Sequence, residues 1–138
     1  MRPGQELDKL ISTQVLGYSI HQQKRAFYEA TPRGTRPLRS YSKEMNDAWE
    51  VVEAMGITII PIENGQWFAL VGPNAGWKSP GQFLEFVQKG NFVEAGAAVA
   101  ESAPLSICLA ALSAVAKKVE VASFENIDLE TENARSLN

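Results

Sequence analysis

The sequence is short of the residues that build redox and metal chemistry. Its 138 residues hold one cysteine, Cys108, and one histidine, His21. A disulfide within the chain is therefore excluded, and so is a thiolate metal cluster. No His-x-x-x-His, Asp-x-Asp or Cys-x-x-Cys spacing occurs, so neither a metal nor another cofactor is expected. There is no large excess of one charge. Thirteen basic residues stand against 16 acidic ones, a net charge of −3. A mildly acidic chain is a poor candidate for coating nucleic acid. Long apolar runs are also missing. The longest lies near residues 103–116 and is interrupted by Ser106 and Ser113, which is too short for a membrane span. The N-terminal stretch lacks the continuous apolar run of a signal peptide. A soluble protein of a reducing, cytoplasmic compartment is the expectation.

What is present is an ordinary globular composition, 45% hydrophobic and 21% charged. One domain over residues 1–124 is expected, followed by an acidic, mobile tail over 125–138. A first helix is expected over 5–16, where Leu7, Leu10, Ile11 and Val15 recur at helical spacing and Gly17 closes the end. A second is expected over 43–55, with Ser42 as N-cap and Gly56 as terminator. Met45, Ala48, Trp49, Val52 and Met55 form its apolar face. A last helix begins at Ser102, with Pro104 in the first turn. Leu105, Cys108, Leu109, Leu112 and Val115 line one side of it, and Ile107, Ala110, Ala111 and Ala114 make the other nearly as apolar, so it belongs in the interior.

The clearest local pattern is Ile57-Thr58-Ile59-Ile60-Pro61-Ile62 and Gln66-Trp67-Phe68-Ala69-Leu70-Val71 around Glu63-Asn64-Gly65. A two-residue Asn64-Gly65 turn predicts Ile62 opposite Trp67, Ile60 opposite Ala69 and Thr58 opposite Val71. Ile59 with Leu70 and Pro61 with Phe68 fall on the other face. Both faces are apolar, so each needs a cover, and Ile59 and Ile60 should both be shielded from water. Pro61 lacks an amide hydrogen and marks an edge strand. Residues 26–28 suit a short strand, 31–37 read as a loop, 82–88 as a short helix or a strand, part of 91–100 as a further strand, and 119–124 as a final strand or a helical extension. The fold class is α+β: a three-layer α/β/α sandwich around a small, mainly antiparallel sheet.

Three stretches carry a resemblance. They are Pro3-Gly4-Gln5-Glu6-Leu7-Asp8-Lys9-Leu10-Ile11 with Val15-Leu16-Gly17, then Tyr41-Ser42-Lys43-Glu44 through Ala48-Trp49-Glu50-Val51-Val52-Glu53, and finally Ala100-Glu101-Ser102-Ala103-Pro104-Leu105-Ser106-Ile107-Cys108-Leu109-Ala110-Ala111-Leu112. In that order they resemble the phage proteins with an ABA sandwich domain. The resemblance implies helices on both sides of one sheet, a phage or prophage origin and no catalytic residues.

Candidate chemistry is sparse. Gly72-Pro73-Asn74-Ala75-Gly76-Trp77-Lys78-Ser79 approaches the phosphate loop of nucleotide hydrolases, but Trp77 stands where glycine must precede the lysine. An ordinary loop or a looser anion nest at Lys78 are the remaining readings. His21 with Cys108 would make a nucleophile–base pair only if the cysteine left the buried helix. Glu50 and Glu53, three apart on one helix, are expected to solvate its outer face. The strongest electrostatic feature is a sign reversal over 24–40. There Lys24, Arg25, Arg33, Arg36 and Arg39 oppose Glu29 alone, a local charge of +4. Arginine forks match phosphate, and Phe27 or Tyr28 can stack a base. The plainer alternatives are a solvated loop, or one paired with the acidic tail or a neighbouring subunit. Trp77 reads as a hydrophobic lid, an interface anchor or a core plug.

The expectation is therefore a non-enzymatic binder of a phosphorylated, nucleotide-like small molecule, through Arg33, Arg36, Arg39, Trp77 and Lys78. The first alternative is a module that docks a host or phage protein. The weakest is a small hydrolase using His21. An exposed strand edge adds the expectation of a homo-oligomer.

Overall fold

The computed structural model describes residues 1–90 and 95–118. Helix α1 (Gln5–Leu10) runs into one wide π turn, Ile11–Val15, and Gly17 turns the chain out with φ 74°. Three short strands follow: β1 (Ser19–Gln23), β2 (Ala26–Thr31) and β3 (Gly34–Pro37). They form an antiparallel sheet in the order β1-β2-β3. Helix α2 (Met45–Met55) leads to β4 (Ile57–Ile62) and β5 (Gln66–Val71), then helix α3 (Pro80–Gln88) and β6 (Ala97–Ala100). Strands β4-β5-β6 make a second antiparallel sheet. A helix over residues 103–118, here α4, closes the described chain. The architecture is α+β, as expected, with two small antiparallel sheets in place of one. The expected strand or extension over 119–124, the tail over 125–138 and residues 91–94 lie outside the described residues.

The first sheet corrects the expectation of a loop over 31–37. Thr31 and Gly34 are register partners, so Pro32 and Arg33 form a two-residue turn. Thr31 Oγ1 holds that turn by accepting from the Arg33 N–H at 3.2 Å and donating to the Gly34 carbonyl at 2.9 Å. Lys24 and Arg25 occupy the turn at the other end of β2, since Gln23 pairs with Ala26. The basic stretch is thereby split between two ends of the sheet.

The hairpin of the second sheet has the expected strands and a different register. Ile62 pairs with Gln66, Ile60 with Phe68 and Thr58 with Leu70. Glu63 has joined the turn, in which Asn64 (φ 67°) and Gly65 (φ 77°) both take left-handed backbone. The one-residue slip regroups the side chains. Ile57 and Ile59 now share a face with Ala69 and Val71, and this face meets the core. That core also contains Leu7 of α1 and Ile11 of the π turn, Ala48 and Val51 of α2, and Leu105, Ile107, Cys108, Ala110, Ala111 and Ala114 of α4. Helix α4 is as interior as its composition demands. It comes so close to the chain before β6 that a Cβ on Gly96 would lie 2.7 Å from the Ala114 side chain.

Among the described residues, the opposite face of the second sheet is covered at one end only. Trp77 donates from Nε1 to Thr58 Oγ1 at 3.2 Å, and Leu70, the partner of Thr58, is buried. Phe83 and Phe86 of α3 meet that indole edge-on and tilted, at ring separations of 5.3 and 5.2 Å and interplanar angles of 74° and 57°. Beyond it Ile60 is 42%, Ile62 41% and Val99 52% exposed. The expectation that Ile59 and Ile60 are both shielded fails at Ile60. A nine-residue helix resting on one tryptophan is too small to roof three strands.

Ser42 was expected to cap α2 and does not. The residue at the cap is Glu44, which makes no side-chain capping bond. Ser42 is buried instead, where its Oγ donates to Asp8 Oδ1 at 2.7 Å and accepts from the Gly4 N–H at 2.9 Å. It ties the start of α1 to the segment before α2. Gly56 ends α2 in left-handed backbone, as expected.

Candidate functional site

Three of the four arginines of the sign reversal, Arg33, Arg36 and Arg39, line one cavity of about 470 Å³ between β3 and the outer side of α2. Its walls are Tyr18, Thr31, Pro32, Arg33, Arg36 and Arg39 on one side and Asn46, Trp49, Glu50 and Glu53 on the other. The α2 residues fall at i, i+3, i+4 and i+7, which is one stripe of a helix. Trp49 therefore belongs to this stripe and not to the apolar face expected for it; it is 48% exposed.

Beneath the cavity lies a buried carboxylate. Glu29, in the middle strand of the first sheet, is fully buried. Its register partner across β2 and β3 is Arg36. Arg36 donates from Nε to Glu29 Oε1 at 3.3 Å and from one terminal nitrogen to Glu50 Oε2 at 2.7 Å and to the Tyr41 hydroxyl at 3.2 Å. Tyr41, itself fully buried, places its hydroxyl 2.7 Å from both Glu29 oxygens. Ser12 Oγ and the Arg39 N–H complete the shell at 3.0 and 3.3 Å. A buried carboxyl group is tolerable only when its oxygens are so surrounded by donors.

Glu50 is held from three directions, by Arg36, by Arg39 at 3.1 Å and by the Tyr18 hydroxyl at 2.7 Å. Burial alone would raise its pKa, but the bonds from Arg36 and Tyr18 and the two arginine charges outweigh burial and lower it. The bond to Glu50 raises the Tyr18 pKa, with burial adding to it. Burial opposes the charge on Arg36, yet its bonds to Glu50 and Tyr41 raise its pKa overall. For Tyr41, burial and then the bond to Glu29 keep the hydroxyl protonated.

The sequence-predicted residues thus separate by role. Arg36 is consumed by Glu29 and Glu50. Arg39 pairs with Glu50 while its side chain stays 40% exposed. The Arg33 guanidinium makes no ion pair or hydrogen bond among the described residues; only its main-chain N–H is engaged. The arginines are balanced by Glu29, Glu50 and Glu53, so the cavity is mixed in charge rather than uniformly basic.

Trp77 and Lys78 do not line this cavity. Trp77 is half-buried on the face of the second sheet away from the core, where a Cβ on Gly72 would lie 3.0 Å from its ring. It also borders a separate hollow of about 220 Å³ with Phe86 and Lys89. Lys78 is exposed, and its N–H donates to Gln82 Oε1 at 2.7 Å. Ser79 caps α3 by accepting from the Gln82 N–H at 3.2 Å. The loop from Gly72 to Ser79 is therefore tied to β4 through Trp77 and Thr58, to the end of α2 through the Gly72 N–H and the Gly56 carbonyl, and to α3 through Gln82.

His21 stacks on Tyr28, its cross-strand partner, at 5.9 Å between ring centroids. Cys108 is fully buried, and burial, with the nearby Asp8 charge, pushes its thiol up to about 12. A thiol so placed is a packing group rather than a nucleophile. Among the described residues no group of three His, Cys, Asp or Glu side chains is arranged to hold a metal ion. Nor is any described helix long and apolar enough to cross a membrane.

Sequence reasoning missed Glu29, Tyr41, Trp49, Glu50 and Glu53 as members of this site; Glu50, expected with Glu53 to solvate the outer face of α2, is instead held by Arg36, Arg39 and Tyr18. The i, i+3, i+4, i+7 stripe of α2 was the available signal for Trp49 and Glu53.

The comparisons with known proteins agree with the fold. A crystal structure of a phage protein from Bacillus cereus ATCC 14579 superposes with a TM-score of 0.56 at 23% identity, over 83% of this chain and 88% of that one. At that identity the likeness speaks for the fold alone. No curated protein matches. The model of the phage ABA sandwich domain matches residues 9–112, three quarters of the chain, and the protein belongs to that family.

Proposed function

We propose that this phage-family protein is a non-enzymatic binder that takes a phosphorylated, nucleotide-like small molecule into the cavity between β3 and α2. The observation that carries the reading is Arg33, a guanidinium without a partner among the described residues, on a two-residue turn tied by Thr31. Arg39 and the half-exposed Trp49 line the same cavity. A guanidinium fork matches phosphate oxygens, and an aromatic face accepts a base. The cavity volume of about 470 Å³ suits a ligand of that size. Arg36 serves the reading only as scaffold, because Glu29 and Glu50 occupy its donors.

A thermal-shift screen against nucleotides and cyclic nucleotides tests it. A stabilisation that disappears in Arg33→Ala supports the reading, and a flat screen rejects it.

A second reading, docking of a host or phage protein, draws on a different surface. Ile60, Ile62 and Val99 leave apolar area in water on the second sheet, whose edges are β4 and β6. A flat nucleotide screen together with a co-purifying protein lost in Ile60→Lys favours docking. Light scattering on the same variant tests whether a second copy of the chain uses that edge.

A further inference from the structure

We infer that the cavity selects a guanine-type base, with Trp49 as its stacking platform and the Glu53 carboxylate as its reader. This rests on the nucleotide-binding reading above and specifies which end of the cavity holds which part of the ligand.

Two groups set the argument. Arg33 and Glu53 carry opposite charges and line one cavity, yet they form no ion pair with each other or with any other described residue. Their neighbours Arg36, Arg39 and Glu50 are all paired. The fold thus leaves one cation, on the β2–β3 turn, and one anion, on α2, without a partner among the described residues in the lining of the same cavity. A ligand that satisfies both must have an anionic end and a donor-bearing end. Trp49, one turn before Glu53 on the same stripe of α2, adds a flat apolar face between polar groups. A planar base stacked on that indole presents its edge towards Glu53.

The chemistry of the edge then discriminates. An ionised carboxylate only accepts hydrogen bonds, through two adjacent oxygens. Guanine offers two adjacent donors, the ring N1–H and the exocyclic amine, which a carboxylate can take in a paired fork. Adenine and cytosine each place a ring-nitrogen acceptor beside their amine, and that lone pair faces a carboxylate oxygen unfavourably. Glu53 therefore favours guanine and disfavours the other two. A paired contact of this kind supports roughly tenfold or greater discrimination.

Calorimetric titration of the full chain with guanosine 5′-monophosphate, adenosine 5′-monophosphate and ribose 5-phosphate tests the inference. The guanine nucleotide is expected to bind at least about tenfold more tightly than the adenine one. Glu53→Gln is expected to reduce that ratio to near one while ribose 5-phosphate binding is retained. Trp49→Ala is expected to bring both nucleotides down to the level of ribose 5-phosphate. Equal binding of the two nucleotides to the unmodified protein overturns base selection and leaves nucleotide binding standing. So does a preference that survives Glu53→Gln. If none of the three ligands binds, the parent reading falls and the inference falls with it. Glu53 is exposed, so its variant tests binding without disturbing the core, and the comparison on the unmodified chain needs no variant.

Discussion

Glu29 and Arg36 face each other across β2 and β3, and the carboxylate is fully buried while the arginine reaches the surface. The pair is a conduit from the interior to the cavity wall: Arg36 grips Glu29 with Nε and Glu50 with a terminal nitrogen. The first sheet is thereby fastened to α2 through charge rather than through apolar packing alone.

Removing one partner of such a pair leaves the other charge uncompensated. Arg36→Ala is expected to destabilise the chain by about 3 kcal/mol. Glu29→Gln is expected to be destabilising as well, because an amide nitrogen would face the donors of Arg36 or Tyr41. Urea denaturation monitored by circular dichroism measures both. A change below about 0.5 kcal/mol in Arg36→Ala would show that the network is ornamental.

Two carboxyl groups should tilt stability with pH in opposite directions. Glu50 has its pKa lowered from 4.5, so the stability it contributes is complete above that value and is lost as pH falls through its lower folded pKa. Asp8 has its pKa raised from 3.8 by burial, against the bonds from Ser42. Its favourable contribution is complete below 3.8 and is lost as pH rises through its higher folded pKa. Melting curves between pH 3 and 6 should therefore show a flatter acid limb in Glu50→Gln and a steeper one in Asp8→Asn. Parallel curves for all three proteins would refute the assignment.

Trp77 joins α3 to the second sheet. Trp77→Ala removes the bond to Thr58 and the ring contacts with Phe83 and Phe86. Amides of α3 should lose hydrogen-exchange protection while those of α4 keep theirs. Uniform loss across the chain would mean that α3 belongs to the global unfolding unit.

Gly56 is the position where a methyl group is least tolerable. Its φ is 65°, and an added Cβ would lie 2.4 Å from the Asn74 carbonyl oxygen. Gly56→Ala is expected to cost about 2 kcal/mol or more, from left-handed strain plus backbone displacement. A wild-type melting temperature in that variant would contradict the close approach of α2's end to the 73–76 loop.

Much of the fold was legible where physics is local. The interior position of α4 followed from its all-round apolarity, and the edge position of β4 followed from Pro61. Gly56 announced the end of α2. Of the first sheet only residues 26–28, now the start of β2, were legible as strand. Its strands are short, β1 exposes four of its five residues and so carries almost no apolar alternation, and Gly34 and Pro37 read as loop punctuation. The partner of Arg36 was hidden for the same reason, since Glu29 meets it only through the register of that sheet. The hairpin register was missed by one residue because Glu63 entered the turn, a choice that Asn64 and Gly65 permit in either form. The arginines were visible as a cluster, whereas their neutralisation by Glu29 and Glu50 is a fact of three dimensions.

The most direct test is calorimetric titration of guanosine 5′-monophosphate into the unmodified chain and into Arg33→Ala. Binding to the unmodified chain, weakened at least about tenfold by the substitution with no change in melting temperature, is the predicted result. Absence of binding, or equal binding by both proteins, would contradict the assignment of this cavity.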